Sequence, residues 1–183
     1  PRSAGHQQGV EAIRDVIKTA SQLKIQVITL YAFSTENWKR PEEEVSFLLK
    51  LLVEYMKKEI EELHKQNVII RTIGDLSAFP ERVQMEIEKA KEKTAGNNGL
   101  IMNIGLNYGA RNEIYRAFKE IADKCTEDNL LLDNFTEDMI SSHLDTKGLP
   151  DPDLLIRTSG ERRISNFLLW QIAYAELYFT DVL

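Results

Sequence analysis

Leu100-Ile101-Met102-Asn103-Ile104-Gly105-Leu106 decides the fold. It is a short, mostly apolar run set between Gly96-Asn97-Asn98-Gly99 and the polar tip Asn107-Tyr108-Gly109-Ala110-Arg111, and it reads as a strand. Val83, Ile87 and Ala90 recur at helical spacing before it, and Ile114, Phe118 and Ile121 after it. The same plan repeats outward. Val10, Ile13, Ile17 and Ala20 mark a helix, and Ile25 to Ala32 a strand. Val45, Leu48, Leu49, Leu52, Val53, Met56, Ile60 and Leu63 form a long amphipathic stripe, followed by a strand from Val68 to Ile73 that ends at Gly74-Asp75. Thr136 has the form of an N-cap, with Phe135 and Ile140 placed as a hydrophobic staple, and Leu154-Leu155-Ile156 reads as a short buried strand. Strands alternating with helices predict an α/β domain with a mainly parallel central sheet flanked by helices. With no internal repeat, low-complexity tract or linker, residues 1–183 read as a single domain.

A chain of 183 residues is long enough for a sizeable core. Its net charge of −6 argues against general nucleic-acid binding, so any anion site must be local. The lone Cys125 excludes an internal disulfide framework and a cysteine-cluster zinc site, and it fits a reducing compartment. With no signal-peptide pattern and no apolar run of bilayer length, the expected location is cytoplasmic.

Arg157-Thr158-Ser159-Gly160-Glu161-Arg162-Arg163-Ile164-Ser165-Asn166 runs into Phe167 to Leu177, an apolar stretch that reads as a buried helix with a Ser-Asn cap. Guanidinium forks beside a helix N-terminus favour an anion with several oxygens, most simply a phosphate or diphosphate. The alternative is a surface Arg/Glu cluster capping an ordinary core helix.

In open α/β sheets ligands sit beyond the carboxyl ends of the strands, so polar tips there carry weight. Phe33 to Pro41 is one such tip. Read as a loop leading into the next helix, it explains Glu42, Glu43 and Glu44, which favour the positive end of the dipole, better than it explains Asn37, Trp38 and Arg40. Asn107 to Arg111 is another, equally readable as a plain turn. In Arg2 to Gly9 the glycines permit close approach, and His6 is of a residue type able to move a proton near neutral pH, though a lone His near a helix start also serves as a cap or a solvated residue. Glu176 lies eleven residues after Ser165, which on one helix is about 16 Å along the axis. A carboxylate among Ile172, Ala173, Tyr174, Ala175, Leu177, Tyr178 and Phe179 needs a cation or donor nearby.

Together these segments resemble the cis-prenyltransferases, in particular bacterial undecaprenyl diphosphate synthases. The matching motifs are Arg2-x-x-Gly5-His6-x-x-Gly9, Tyr31 to Trp38 with Arg40-Pro41, Asn107-Tyr108-Gly109-x-Arg111, Pro152 to Glu161, and Arg163 to Gln171. They cover essentially the whole chain in order. The resemblance implies the cis-prenyltransferase fold with an apolar tunnel. It also implies Mg²⁺-dependent condensation of isopentenyl diphosphate with an allylic diphosphate such as farnesyl diphosphate, giving a long polyprenyl diphosphate. By resemblance, Arg157, Arg163 and Ser165 clamp isopentenyl diphosphate, and Arg2 and Arg40 bind the allylic diphosphate. His6 and Asn37 assist diphosphate departure and proton removal. Ser34, Trp38 and Glu44 line a mobile loop and helix over the substrate. Glu176 is implied to hold Mg²⁺ in the neighbouring site of a homodimer, an Arg of its own chain being the other available partner. The product is implied to pass to a membrane, with peripheral contact at its surface.

Three departures accompany the match. The family carries an Asp-Gly-Asn-Gly-Arg-Trp-Ala motif, whose Asp holds Mg²⁺, shortly before the Arg-x-x-Gly-His block, and it continues past the position of Leu183 into a basic C-terminal helix. The expectation is therefore that residues 1–183 are part of a longer protein, lacking the family's first strand and its last helix. Ala110 stands where the family has Gly. A non-catalytic partner subunit of the same fold is the rival reading, but such subunits typically degrade the loop or the clamp, and here Asn37, Trp38, Arg157, Arg163 and Ser165 all stand. A nucleotide-binding module would need a phosphate-cradling glycine loop, which is missing.

Overall fold

The structure, a computed structural model, describes the backbone of residues 2–127 and 135–182 and the side chains of residues 12–125 and 135–182. Helix α1 (Arg2–Gln22) is followed by strand β1 (Val27–Ser34), a 3₁₀ turn (Thr35–Lys39), α2 (Glu42–Lys65), β2 (Ile69–Ile73), α3 (Glu81–Thr94) and β3 (Ile101–Tyr108). Then come α4 (Ala110–Glu127), α5 (Glu137–His143), β4 (Leu154–Arg157) and β5 (Glu176–Phe179). The chain divides at the end of β3 into two compact units, Pro1–Asn107 and Tyr108–Leu183. No helix of the described residues is long and apolar enough to cross a membrane.

The first unit is a three-stranded sheet in the order β1-β3-β2. β2 and β3 are parallel, in register from Ile69 opposite Ile101 to Ile73 opposite Gly105. β3 takes the central place because it can be covered on both sides: Met102, Ile104 and Leu106 on one face are at most 3% exposed, and Asn103 on the other is fully buried. The α2 stripe behaves as its spacing predicts. Val45, Leu49, Val53, Met56 and Leu63 are buried in one cluster with Ile17, Ile70, Ile87 and Met102. Glu42, Glu43 and Glu44 occupy the first turn of α2, and His64 and Lys65 the last, both in accord with the helix dipole.

One charge interrupts this core. Glu59 of α2 is buried, and Arg14 of α1 grips it with Nε at 2.7 Å from Oε2 and a second contact from Nη2 to Oε1. The hydrogen bond from Arg14 holds the Glu59 carboxyl below its usual range, against the opposing effect of burial. A depressed folded-state pKa contributes stability that is present above the unfolded value and is lost as pH falls through the folded one. Arg14→Met should therefore destabilise the protein by about 2 kcal/mol at neutral pH, below the usual cost of a broken buried pair because the Arg14 side chain is 51% exposed. The deficit should shrink at acid pH, as the pH falls through the depressed folded value at which the carboxyl of the parent protonates too. Urea unfolding at neutral and acid pH checks this, and a pH-independent deficit would refute it.

In the second unit the Thr136 hydroxyl accepts from the Met139 N–H at 3.2 Å and starts α5, as the cap signature predicts. Phe135 rests on Phe118 of α4, ring centroids 6.2 Å apart. β4 and β5 pair in parallel, Leu154 opposite Glu176 and Arg157 opposite Phe179.

Two expectations are corrected here. Residues 154–156 do form a strand, but only Leu155 is buried: Leu154 is 50% and Ile156 60% exposed, because β4 belongs to a sheet of two strands among the described residues. Phe167 to Leu177 does not form a helix. Ser165, Asn166 and Leu168 take positive φ of 53°, 61° and 47°, a conformation that interrupts the α-helical hydrogen-bond ladder, and the segment proceeds as turns into β5. The dipole argument for the arginine loop, and the 16 Å separation on one helix, fall with it.

Candidate active site

The tip that follows β1 is a built structure. Asn37 turns back so that its Oδ1 accepts from the Ser34 N–H at 2.9 Å, a contact of the capping-box kind. This spends the amide oxygen and leaves the Nδ2 donors pointing elsewhere. Trp38 is fixed twice: its ring packs against Phe33 and Phe79, with centroids 5.1 and 5.6 Å away, and its Nε1–H donates to Asn107 Oδ1 at 2.8 Å. Asn107, at the end of β3 with φ of 48°, donates from Nδ2 to the Asp75 carbonyl at 2.8 Å. The approach of this corner to β2 requires Gly74, with φ of +104°, where a Cβ would fall 2.1 Å from the Leu106 oxygen. Arg40 and Glu44, one helical turn apart, are joined at 2.6 Å. Tyr31 lies behind the turn. Burial, then the charge of Glu36, pushes its hydroxyl up to about 12, with a Ser34 hydrogen bond opposing, so it keeps its proton at neutral pH.

The second group lies on the loop after β4. Arg157 Nη1 donates to Ser165 Oγ at 2.6 Å and also to the Arg163 carbonyl. The Arg163 guanidinium pairs with Glu161 at 3.0 Å, both side chains well exposed, so the pair is weak and exchangeable for a better anion. Asn166 accepts from α4 through both its carbonyl and its side chain. Behind the loop Glu113 is 1% exposed and accepts from Tyr108 Oη at 2.6 Å, Gln171 Nε2 at 3.1 Å and the Asp145 N–H at 2.9 Å. Burial holds its carboxyl above the usual range despite these bonds, with Asp145 adding to the rise.

Within the first unit, therefore, Ser34, Asn37, Trp38, Arg40 and Glu44 gather on one turn and the helix start beyond it. Within the second, Arg157, Arg163 and Ser165 gather on one loop. Glu176 is not among them. It opens β5 opposite Leu154, three residue steps from the level of Arg157, or about 10 Å along the ladder. Its side chain is exposed and has no ion-pair partner among the described residues, so the alternative reading, a pair with an Arg of its own chain, is not formed there. Arg2 and His6 fall in α1, where side chains lie outside the described residues. Asn107, Gly74, Asn166 and Glu113 support the site without having been singled out for that role. Asn107 and Gly74 carried only turn signals. Asn166 was read as the cap of the wrong helix, and Glu113 carried no signal beyond its place in an amphipathic helix. A cavity of about 190 Å³ in the second unit, lined by Ser141, Lys147, Asp151, Trp170 and Gln171 among others, contains none of the candidate residues.

Residues 1–183 match the family model described as "Putative undecaprenyl diphosphate synthase". The chain belongs to the undecaprenyl diphosphate synthase family. It is 52% identical over 182 residues to an isoprenyl transferase of Clostridium tetani, covering 100% of this chain and 71% of that protein. It is 51% identical over 182 residues to the ditrans,polycis-undecaprenyl-diphosphate synthase of Vibrio vulnificus, named as (2E,6E)-farnesyl-diphosphate specific, again across 100% of this chain and 72% of that protein. Among solved structures, lavandulyl diphosphate synthase from Lavandula x intermedia, in complex with dimethylallyl diphosphate, superposes with a TM-score of 0.96 at 37% identity, over 100% of this chain and 79% of that one. A "probable undecaprenyl diphosphate synthase" from Campylobacter jejuni gives 0.85 at 38% identity, over 97% and 81%. The α/β architecture with parallel strand pairing is thus the undecaprenyl diphosphate synthase fold.

Proposed function

We propose that this undecaprenyl diphosphate synthase homologue condenses isopentenyl diphosphate with farnesyl diphosphate to build a cis-polyprenyl diphosphate of undecaprenyl length. The observation that carries the reading is the clamp geometry: Arg157 bonded to Ser165, with Arg163 beside it in an exchangeable pair. In each cycle the allylic carbon–oxygen bond breaks, a carbon–carbon bond forms to the terminal methylene of isopentenyl diphosphate, and one proton and one diphosphate leave. Arg157, Arg163 and Ser165 hold the diphosphate that is retained. Arg2 and Arg40 are assigned to the one that departs, and Glu44 pairs with Arg40. The free amide donors of Asn37 supply hydrogen bonds where negative charge develops, and His6 is the group that takes up a proton. Ser34 and Trp38 line the substrate, and the growing chain takes an apolar tunnel beside α2.

Mg²⁺ belongs to this reading. No cluster of three or more metal-donor side chains occurs among the described residues, but Mg²⁺ commonly takes only one or two carboxylates besides waters and phosphate oxygens. An exposed, unpartnered Glu176 fits one such position, reaching the other subunit of a homodimer. When bound, the ion neutralises charge on the leaving diphosphate. On this reading the enzyme works in the cytoplasm and delivers its product to the membrane surface.

The test is incorporation of labelled isopentenyl diphosphate into polyprenyl product with farnesyl diphosphate and Mg²⁺, by the parent and by Glu176→Ala. The variant should remain dimeric by light scattering and need about tenfold more Mg²⁺ for half-maximal rate. An unchanged Mg²⁺ response removes Glu176 from the metal site, and absence of product from the parent favours the non-catalytic partner subunit.

A further inference from the structure

We propose that Asn166 is a positioning residue for the diphosphate clamp, fastening the clamp loop to the N-terminus of α4. The proposal rests on the reading of Arg157, Arg163 and Ser165 given above. The first N–H groups of any α-helix lack partners inside it. In α4 those of Ala110 and Arg111 are met by one residue from outside: the Asn166 carbonyl accepts from Ala110 at 2.8 Å, and Asn166 Oδ1 accepts from Arg111 at 2.9 Å. Its neighbour Ser165 accepts from Arg157 at 2.6 Å. Consecutive residues thus bind the helix and the clamp arginine.

Backbone geometry explains why the residue is asparagine. Asn166 has φ of 61°, where asparagine is tolerated far better than most side chains. Glycine would accept that conformation without the side-chain acceptor for Arg111. Alanine would supply neither the ease of conformation nor the acceptor. A second fastening lies just beyond, where Phe167 packs edge-on to Tyr108 at 6.1 Å and Gln171 Nε2 donates to Glu113 of α4. With the loop held on that side, the Ser165 hydroxyl and the Arg163 carbonyl keep Arg157 in one orientation; released, both acceptors move together.

The test compares Asn166→Gly and Asn166→Asp in the full chain. Asn166→Gly keeps the backbone conformation and loses the side-chain acceptor. It should speed hydrogen exchange at the Arg111 amide and raise KM for isopentenyl diphosphate about tenfold, the loss of one hydrogen bond, with kcat and the KM for farnesyl diphosphate nearly unchanged. Asn166→Asp restores an acceptor of the same length, so amide protection should return and KM should fall back to within about threefold of the parent. An Asn166→Gly enzyme with a deprotected Arg111 amide but parental KM would show that Asn166 caps α4 and nothing more. Unchanged exchange would overturn the fastening itself. Calorimetric titration of parent and variants with inorganic diphosphate keeps the question separate from turnover. Weaker binding to Asn166→Gly by the same factor sustains the positioning role even if the parent makes no polyprenyl product, a failure that would count against the proposed activity alone. Equal diphosphate affinity in parent and Asn166→Gly would overturn the positioning role.

Discussion

Arg157→Ala is expected to lower kcat/KM for isopentenyl diphosphate by two to three orders of magnitude, or ~3–4 kcal/mol. Two losses combine. The guanidinium is a charge-assisted donor to the diphosphate, and it is also the strut between Ser165 Oγ and the Arg163 carbonyl. Its removal takes away one ligand of the anion and loosens the other two. Arg163 differs: its guanidinium sits in an exposed pair with Glu161, so Arg163→Ala should cost about ten- to a hundredfold, chiefly in KM for isopentenyl diphosphate. Because the residues touch, the double variant should lose less than the product of the single losses. Arg157→Lys should recover little, since an ammonium cannot bond Ser165, the carbonyl and a phosphate in one plane. Steady-state kinetics with each substrate varied separately decides the matter. A parental KM in Arg157→Ala would falsify the clamp.

Gly74→Ala is the second large effect, and it concerns stability. The added Cβ would lie 2.1 Å from the Leu106 oxygen and 3.0 Å from the carbonyl carbon and oxygen of Asn107, all backbone atoms of the central strand, at a φ of +104° that L-residues avoid. Neither side can yield cheaply, because β2 and β3 are paired in register up to Ile73 and Gly105. A loss of about 4 kcal/mol or more is expected, seen as a fall in Tm of about 10–15 °C or as failure to express folded protein. Two other glycines serve as controls. Gly148 has φ of +76° with open space around it, so Gly148→Ala should cost only about 1 kcal/mol of backbone strain. Gly96 has neither a neighbour within 4 Å nor positive φ, and Gly96→Ala should be neutral or slightly stabilising. Equal thermal stability of Gly74→Ala and Gly96→Ala would show that the corner is more plastic than its contacts indicate.

What could be read without coordinates followed from periodicity and local chemistry. The stripe from Val45 to Leu63 had to be a helix because only a period near 3.6 puts those residues on one side, and Thr136 had to begin one because its hydroxyl meets an N–H three residues on. Phe167 to Leu177 was misread because apolar content alone carries no period. Its polar side chains reach distant groups instead: Trp170 donates to Ser141, and Gln171 to Glu113 and Thr146, just as Asn166 before it accepts from Ala110 and Arg111. The corner formed by Trp38, Asn107 and Asp75 was illegible for the same reason, since it joins residues that sequence spacing cannot bring together. Residue identity marked the chemistry at Asn37, Arg157 and Arg163; it could not mark what holds that chemistry still.

The three positive-φ residues Ser165, Asn166 and Leu168 have a consequence for the entropy of binding. Ser165 and Leu168 each carry about 1–2 kcal/mol of strain in that conformation, and Asn166 less, offset by the packing and hydrogen bonds of the folded state. The loop has thus given up its conformational freedom before any substrate arrives, and little of the interaction energy of an incoming diphosphate goes into ordering it. Relaxed backbone at these positions would make a more stable protein with a weaker hold on its ligand.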